Sequence, residues 1–445
     1  MILRFSAVAL ALTVSWGTAA ARDEPPPIGG QPPTEAGVNI EARGQIHEAF
    51  AQPWDPVVNP TAIIHKQPPD PIAEEPPDQR PSGKNVQWIP GYWQWDDDRK
   101  DFIWVSGIWR DYPEGRHWVV GHWTAVADGW YRVLGHWASD QEPDFQYVQK
   151  PPEPRQEVQP TAPDVNSIWI PGSWFFAENG WRWRAGYYTE ARVGYVWQPA
   201  CYCWSPNGYI FCSGYWDYDP LYRGLVFAPV WFERPLWLRA GWRFRPFFAL
   251  DIGGIWGSLF VRPGWGYYFG DWYGRAYVGL GFRPWYSFGA GHYDPMFAYE
   301  HWHHRTDPMF FADIKKVNEA RFAGKVALPP HTFSPTMKGP HSIVALNQFH
   351  TLKTNVHLEK VTAAQRTAII QHAQVMHEQR LNLSHGNFPS NLTTNLHATG
   401  VDSKSFYPHS FQPGAVHTGG FQNVGPIHSS FPGYHPPAGH SPPHK

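Results

Sequence analysis

The frame Trp88-Ile89-Pro90-Gly91-Tyr92-Trp93 returns as Trp104-Val105-Ser106-Gly107-Ile108-Trp109, Trp118-Val119-Val120-Gly121-His122-Trp123 and Trp169-Ile170-Pro171-Gly172-Ser173-Trp174. Looser copies centre on Gly135, Gly186, Ala200 and Gly214. Within each run the centres advance in steps of 14 residues, as from Gly107 to Gly121 and from Gly172 to Gly186; the step from Gly91 to Gly107 is 16. So short a period leaves room for one strand and one turn per copy. Between centres stand turn signals that end in glycine: 112–115, 126–129, 177–180, 191–194 and 205–208. A three-residue loop, a type I turn closed by a left-handed glycine, fits that spelling, and the intervening Trp, Tyr, Val and Ile suit strands.

That loop type fixes a register. It sets Ala177 opposite Trp181, and it places each centre opposite the next: Gly107 with Gly121, Gly121 with Gly135, Gly172 with Gly186, Gly186 with Ala200, Ala200 with Gly214. A column of small residues then crosses the sheet, and a neighbouring indole lies over each glycine, which accounts for glycine in mid-strand. The expected fold is mainly β: antiparallel β-meander repeats, about 14 residues per strand-plus-turn, forming a sandwich or open barrel with Pro-rich linkers, one or two C-terminal helices and a disordered tail.

The 445 residues divide accordingly. Residues 1–21 have Arg4, an apolar run and Ala19-Ala20-Ala21, a secretory signal peptide cleaved after Ala21. No cysteine follows that run to anchor a lipid, and no later apolar stretch is long enough for a spanning helix. Residues 22–85 are a Pro-rich extended leader that cannot bury a core, although 37–52 is less biased and could dock. The first meander is 86–138, a Pro-rich linker is 139–166, and the second meander with its Gly/aromatic-rich extension is 167–300. A mixed segment, 301–361, holds a helix over 309–322. A second helix, 362–382, starts at Thr362 with Gln365 reaching back in a capping box and carries Ile369, Ile370, Ala373, Met376 and Leu381 as its stripe. The tail, 383–445, is Gly, Pro, Ser, Asn and His.

Taken together, 88–95, 102–109 and 118–123 resemble the YxWxGxW-repeat (WxxGxW) proteins, an exported family of planctomycete-type bacteria. The resemblance extends to His47-Glu48-Ala49-Phe50-Ala51, Pro76-Pro77-Asp78-Gln79-Arg80-Pro81, Trp95-Asp96-Asp97-Asp98 and 224–230, and runs from about residue 37 to 330. Arg132 and Ala200 stand where the pattern has an aromatic residue and a glycine. The resemblance implies export and repeat architecture, and no activity.

Chemistry is sparse. A net charge of −2 gives no overall electrostatic case for nucleic acid. Nucleophile elbows, phosphate loops, dinucleotide fingerprints and zinc-protease motifs do not occur, so the expectation is a non-enzyme without cofactor. His301, His303 and His304, beside Glu300, are weak metal candidates, and a solvated turn explains them better. His409, His417, His428, His435, His440 and His444 lack fixed spacing. Asp96, Asp97, Asp98 and Asp101 read as a polar turn, and Asp217 and Asp219 do not make a glycosidase pair. Of the cysteines Cys201, Cys203 and Cys212, the predicted register turns Cys212 away from the other two, which argues against a disulfide within the hairpin; a slip of one residue would pair it with Cys201. No histidine nearby in sequence completes a metal site. Aromatic faces have the most functional reach. The leading expectation is an exported structural or interaction protein of the cell envelope; the alternative is a glycan-binding module with Trp104, Trp118 and Trp183 as platforms. A cell-envelope protein or polysaccharide would be the partner, and an outer-membrane barrel is disfavoured because both strand faces are aromatic.

Overall fold

The repeat copies do not line up as two meanders; they close in pairs, as four long hairpins. The computed structural model describes residues 35–83, 85–141, 147–177, 180–290, 292–334, 342–351 and 356–387. The signal peptide and the tail histidines named above lie outside these residues. The chain is mainly β, in sheets of two to four strands that are antiparallel except where Val57–Val58 runs parallel to Cys201–Ser205.

Each hairpin joins two copies and is interrupted midway at both repeat centres. In the first, Val86–Ile89 pairs with Ile108–Asp111 and Tyr92–Asp96 with Asp101–Val105. In the second, Arg116–Val119 pairs with His136–Ser139 and His122–Val126 with Gly129–Val133. The third pairs Ser167–Ile170 with Tyr187–Glu190 and Ser173–Ala177 with Gly180–Arg184. The fourth pairs Tyr195–Gln198 with Tyr215–Tyr218 and Cys201–Ser205 with Gly208–Cys212.

This corrects the predicted register in two ways. Three of the loops are two-residue turns, since Val126 faces Gly129, Ala177 faces Gly180 and Ser205 faces Gly208. Every pairing in those hairpins is therefore one residue away from the three-residue solution, and Gly172 is not the partner of Gly186. The loops at 112–115 and 191–194 are links between hairpins, with Gly115 and Gly194 left-handed at φ 67 and 81; Gly107 and Gly121 belong to different hairpins.

The observed register explains the repeat itself. The first tryptophan of one copy faces the second of its partner, on either side of the break: Trp88 with Trp109, Trp93 with Trp104, Trp174 with Trp183. Their rings meet edge to face with centroids 5.2 Å apart in all three pairs, a geometry the ring quadrupoles favour. Each first tryptophan also lies across the partner's central glycine. A methyl group at Gly107 would sit 2.5 Å from Trp88 Cζ2, at Gly135 2.3 Å from Trp118 Cζ2, and at Gly186 2.3 Å from Trp169 Cζ2. The indole-over-glycine expectation holds, with the partner copy supplying the indole.

The hairpins pack with other segments in one compact unit. Gly224–Val226 extends the first hairpin along Ile108–Asp111, and Val230–Phe232 joins Val38–Ile40 to Asp101–Val105. Residues 40–51, in the expected extended leader, are buried throughout. Ile46, Ala49 and Phe50 belong to the main core beside Trp93, Trp104 and Trp118. The segment builds no core alone; it threads one made by others. The two expected helices are Met309–Phe322 and Ala363–Ser384, the latter with the Thr362–Gln365 capping box formed. Its buried side chains are Met376, Arg380 and Leu383, while Ile369, Ile370, Ala373 and Leu381 are half-buried. Among the described residues no helix is long and apolar enough to cross a membrane.

Repeat-centre and turn glycines should therefore differ in tolerance. Gly107→Ala, blocked by Trp88 Cζ2 at 2.5 Å and Ile89 O at 2.7 Å, should cost about 1–3 kcal/mol in urea unfolding. Gly180→Ala, with nothing within 4 Å of the added methyl, should stay within about 0.5 kcal/mol. Equal losses would dismiss the indole-over-glycine account.

Candidate functional site

Breaking a strand at its centre strands two backbone amides and two carbonyls per hairpin, and a buried group of that kind needs a partner. In the first hairpin one carboxylate takes both amides. Glu74 accepts from Gly91 N at 2.7 Å, from Gly107 N at 2.9 Å, and from Trp104 Nε1 at 3.1 Å. The third hairpin repeats this with Glu157, which accepts from Gly172 N at 3.1 Å, Gly186 N at 2.9 Å and Trp183 Nε1 at 2.8 Å. The carbonyls turn the other way. Arg380, from the C-terminal helix, donates to Gly91 O at 2.7 Å and Gly121 O at 3.2 Å, tying that helix to the first two hairpins. Gln52 donates to Gly135 O and Trp54 to Ala200 O.

The second hairpin is built differently. Arg132 occupies the place of a first tryptophan, opposite Trp123, and pairs with Glu48 at 2.5 Å while its guanidinium lies 3.9 Å over Tyr92. The buried Glu48, Arg132 and Arg380 and the half-buried Glu74 thus form a polar node where leader, helix and two hairpins meet.

Burial sets the protonation of this node. It pushes Glu74 up to about 7 against the opposing hydrogen bonds from Gly107, Gly91 and Trp104. It lowers Arg380 to about 10. It holds His47 near 3, and the geometry agrees: Nδ1 accepts from Ala49 N at 3.1 Å, leaving Nε2 to donate to Pro90 O at 3.4 Å. His47 is therefore the neutral Nε2–H tautomer.

The residues singled out by sequence fare unevenly. Trp104 and Trp118 are 0 % and 2 % exposed and offer no face to a ligand; they are core, packed by the pairing described above. Trp183 is half-buried. His301, His303 and His304 lie at the end of the helix Pro295–His303 and do not converge. His304 stacks on Phe310 with centroids 3.6 Å apart and meets Glu300 at 3.3 Å, His303 stacks on Tyr299, and His301 lies beside Phe297. Asp96 caps its own turn, accepting from Asp98 N and Arg99 N, as a polar turn should. Asp217 is bound by Arg110 and Arg223 and is structural. The cysteines correct the prediction outright: Cys201 faces Cys212, so all three thiols share one face, and all are free.

Glu74, Glu157 and Arg380 were missed. A signal existed for the carboxylates, which stand 17 and 15 residues before the first glycine they bind. Arg380 offered only a lone cation near an apolar stripe. Comparison of the chain with family models, curated proteins and solved structures finds no match.

The two carboxylates make a controlled pair, since Glu74 is half-buried and Glu157 is exposed. Glu74→Gln should lower stability by about 2–3 kcal/mol through buried amides left facing an amide donor, and Glu157→Gln by under about 1 kcal/mol. Glu74, raised from 4.5 to about 7, contributes stability that is full below pH 4.5 and lost as pH rises through 7. His47, lowered from 6.5 to about 3, contributes stability present above pH 6.5 and lost as pH falls through 3. Urea midpoints across this range should decline less from pH 4.5 to 7 in Glu74→Gln, with Glu41, Asp111 and Asp294, also raised by burial, supplying what remains; an unchanged profile would refute the assignment.

Proposed function

We propose that this chain is a non-enzymatic, exported structural or interaction protein of the bacterial cell envelope, related to the YxWxGxW-repeat proteins, with the third hairpin as its contact surface. The observation that carries this reading is a difference between equivalent positions. Trp88, Trp93, Trp104 and Trp109 are buried in the first hairpin, whereas their counterparts Trp169, Trp174, Trp183 and Tyr188 are half-buried in the third. The third hairpin has the same cross-strand ring pairs and the same carboxylate anchor, so it is rigid, yet its aromatic surface is only partly used for packing. Exposed, preorganised aromatic surface is what a partner surface uses.

A glycan-binding reading rests on the same residues, because an indole half open to solvent can stack on a sugar face. Of the original platforms only Trp183 supports it. Export rests on the first 21 residues, with Arg22 as the mature N-terminus.

Two measurements separate the readings. Intact mass of protein recovered from its native host should show loss of residues 1–21; retention would sink export. Cross-linking on envelope preparations should capture a protein partner with wild type and several-fold less with Trp174→Ala/Trp183→Ala, while intrinsic fluorescence stays constant on titration with cell-wall polysaccharide. A saturable fluorescence change that the double variant abolishes would instead establish the glycan reading.

A further inference from the structure

Three thiols from one hairpin and an imidazole from another converge on a small cavity. The Cys201–Ser205 and Gly208–Cys212 arms pair around Pro206-Asn207, which sets Cys201 opposite Cys212; Cys203, two residues on, shares their face. Cys212 Sγ lies 3.3 Å from Cys203 Sγ, and Cys201 Sγ lies 3.9 Å from it. Across the cavity, of about 60 Å³, stands His136 of the second hairpin. It is 8 % exposed and its Nε2 is buried without a hydrogen-bond partner. A ring nitrogen of His136 and the sulfurs of Cys203 and Cys212 all lie within 4.8 Å of one another. His136 and Cys201 each directly follow a repeat centre, Gly135 and Ala200, so the repeat geometry itself presents them.

Buried cysteines usually act as small apolar residues, and two features here exceed that role. An imidazole nitrogen buried without a partner costs about 1–3 kcal/mol, and a bound ion would take up that lone pair. The two separations from Cys203, 3.3 Å and 3.9 Å, also bracket the edge of a metal-centred tetrahedron, since metal–sulfur bonds of about 2.3 Å place sulfurs about 3.8 Å apart. A disulfide would consume two of the three thiols and leave the third thiol and the imidazole unused.

We propose that Cys203, Cys212 and His136 bind one thiophilic metal ion of the Zn²⁺ type, with Cys201, 3.9 Å from Cys203 Sγ, swinging in as the fourth ligand of an S₃N set. Binding displaces the three thiol protons to solvent as the thiolates form; no electron transfer is involved. The bound ion and three thiolates carry one net negative charge, and Arg116 stands ready to offset it, with its guanidinium donating to Gly214 O at 3.0 Å and lying over Tyr215. The ion would fasten the second hairpin to the fourth. Four protein ligands in a cavity lined by Trp54, Trp137 and Tyr215 suit a structural site better than one holding a reactive water.

The test is anaerobic titration of the full-length, reduced, metal-free protein with Co²⁺. One equivalent should give visible bands of tetrahedral intensity and a near-ultraviolet thiolate charge-transfer band, both removed by Zn²⁺. His136→Ala should weaken binding by more than about 10-fold while keeping the charge-transfer band, and Cys203→Ser should abolish both signals, with far-ultraviolet circular dichroism reporting that each variant folds. The wild-type chain supplies an independent check, because bound Zn²⁺ should block alkylation of all three thiols. The proposal falls if Co²⁺ gives only octahedral, weakly absorbing spectra, if alkylation is indifferent to Zn²⁺, or if protein isolated without reductant contains a disulfide among the three.

Discussion

Every hairpin in this protein depends on a carboxylate, guanidinium, amide or indole reaching a gap in its own backbone pairing. A strand interrupted at mid-length exposes peptide groups that water cannot reach in the core, and each such group left alone would cost about 1–3 kcal/mol. Glu74 resolves two amides and an indole at once, Arg380 two carbonyls from different hairpins. The break is what lets an indole cross the partner glycine. The side chains that repair the break come from segments distant in the chain. Local repeat and long-range assembly are thus one constraint: a hairpin of this type cannot be buried until the leader, the linker or the terminal helix has arrived.

How much of this was legible follows from where the information lies. Strand, turn and centre are spelled out in each copy. Two of the helices are too: Met309–Phe322 has the predicted limits, and Thr362 with Gln365 makes the predicted cap; the helices Arg275–Gly279, Trp285–Gly289 and Pro295–His303 stand where strands were expected. The register was not, because Val126-Ala127-Asp128-Gly129 reads equally well as a two-residue or a three-residue turn. A slip of one residue turns every side chain of a strand to the other face. That single ambiguity misdirected two conclusions together, the glycine column and the separation of Cys212 from Cys201. It also hid the reason for the repeat, since only the observed register brings the two tryptophans of paired copies face to face.

Composition misled in a different way. The stretch 37–85 is too rich in proline and charge to collapse by itself, and nothing in it forms a long strand. Its polar residues nevertheless complete the hairpins: Glu48 meets Arg132, Gln52 and Trp54 donate to Gly135 O and Ala200 O, and Glu74 fills the first break. A disorder-like composition measures the ability to build a core, and here the segment is a ligand for a core that the hairpins provide. Only tertiary structure distinguishes the two.

The departures from the repeat then acquire meaning. Where the frame is complete, as in the first hairpin, indoles fill both sides of the break and the site is packing alone. Where Arg132 replaces an indole, the vacated place holds a buried ion pair with Glu48. In the fourth hairpin Tyr202 and Phe211 replace one tryptophan pair and Ala200 replaces the glycine, and the flanking positions hold the three cysteines, which line one cavity with His136; Cys203 and Cys212 lie nearest to it. The complete copies hold the scaffold rigid, so the altered copies can present polar and sulfur groups at fixed separations. Chemistry in this fold is therefore to be sought where the tryptophan pattern fails, because an intact copy has already committed its side chains to closing its own gap.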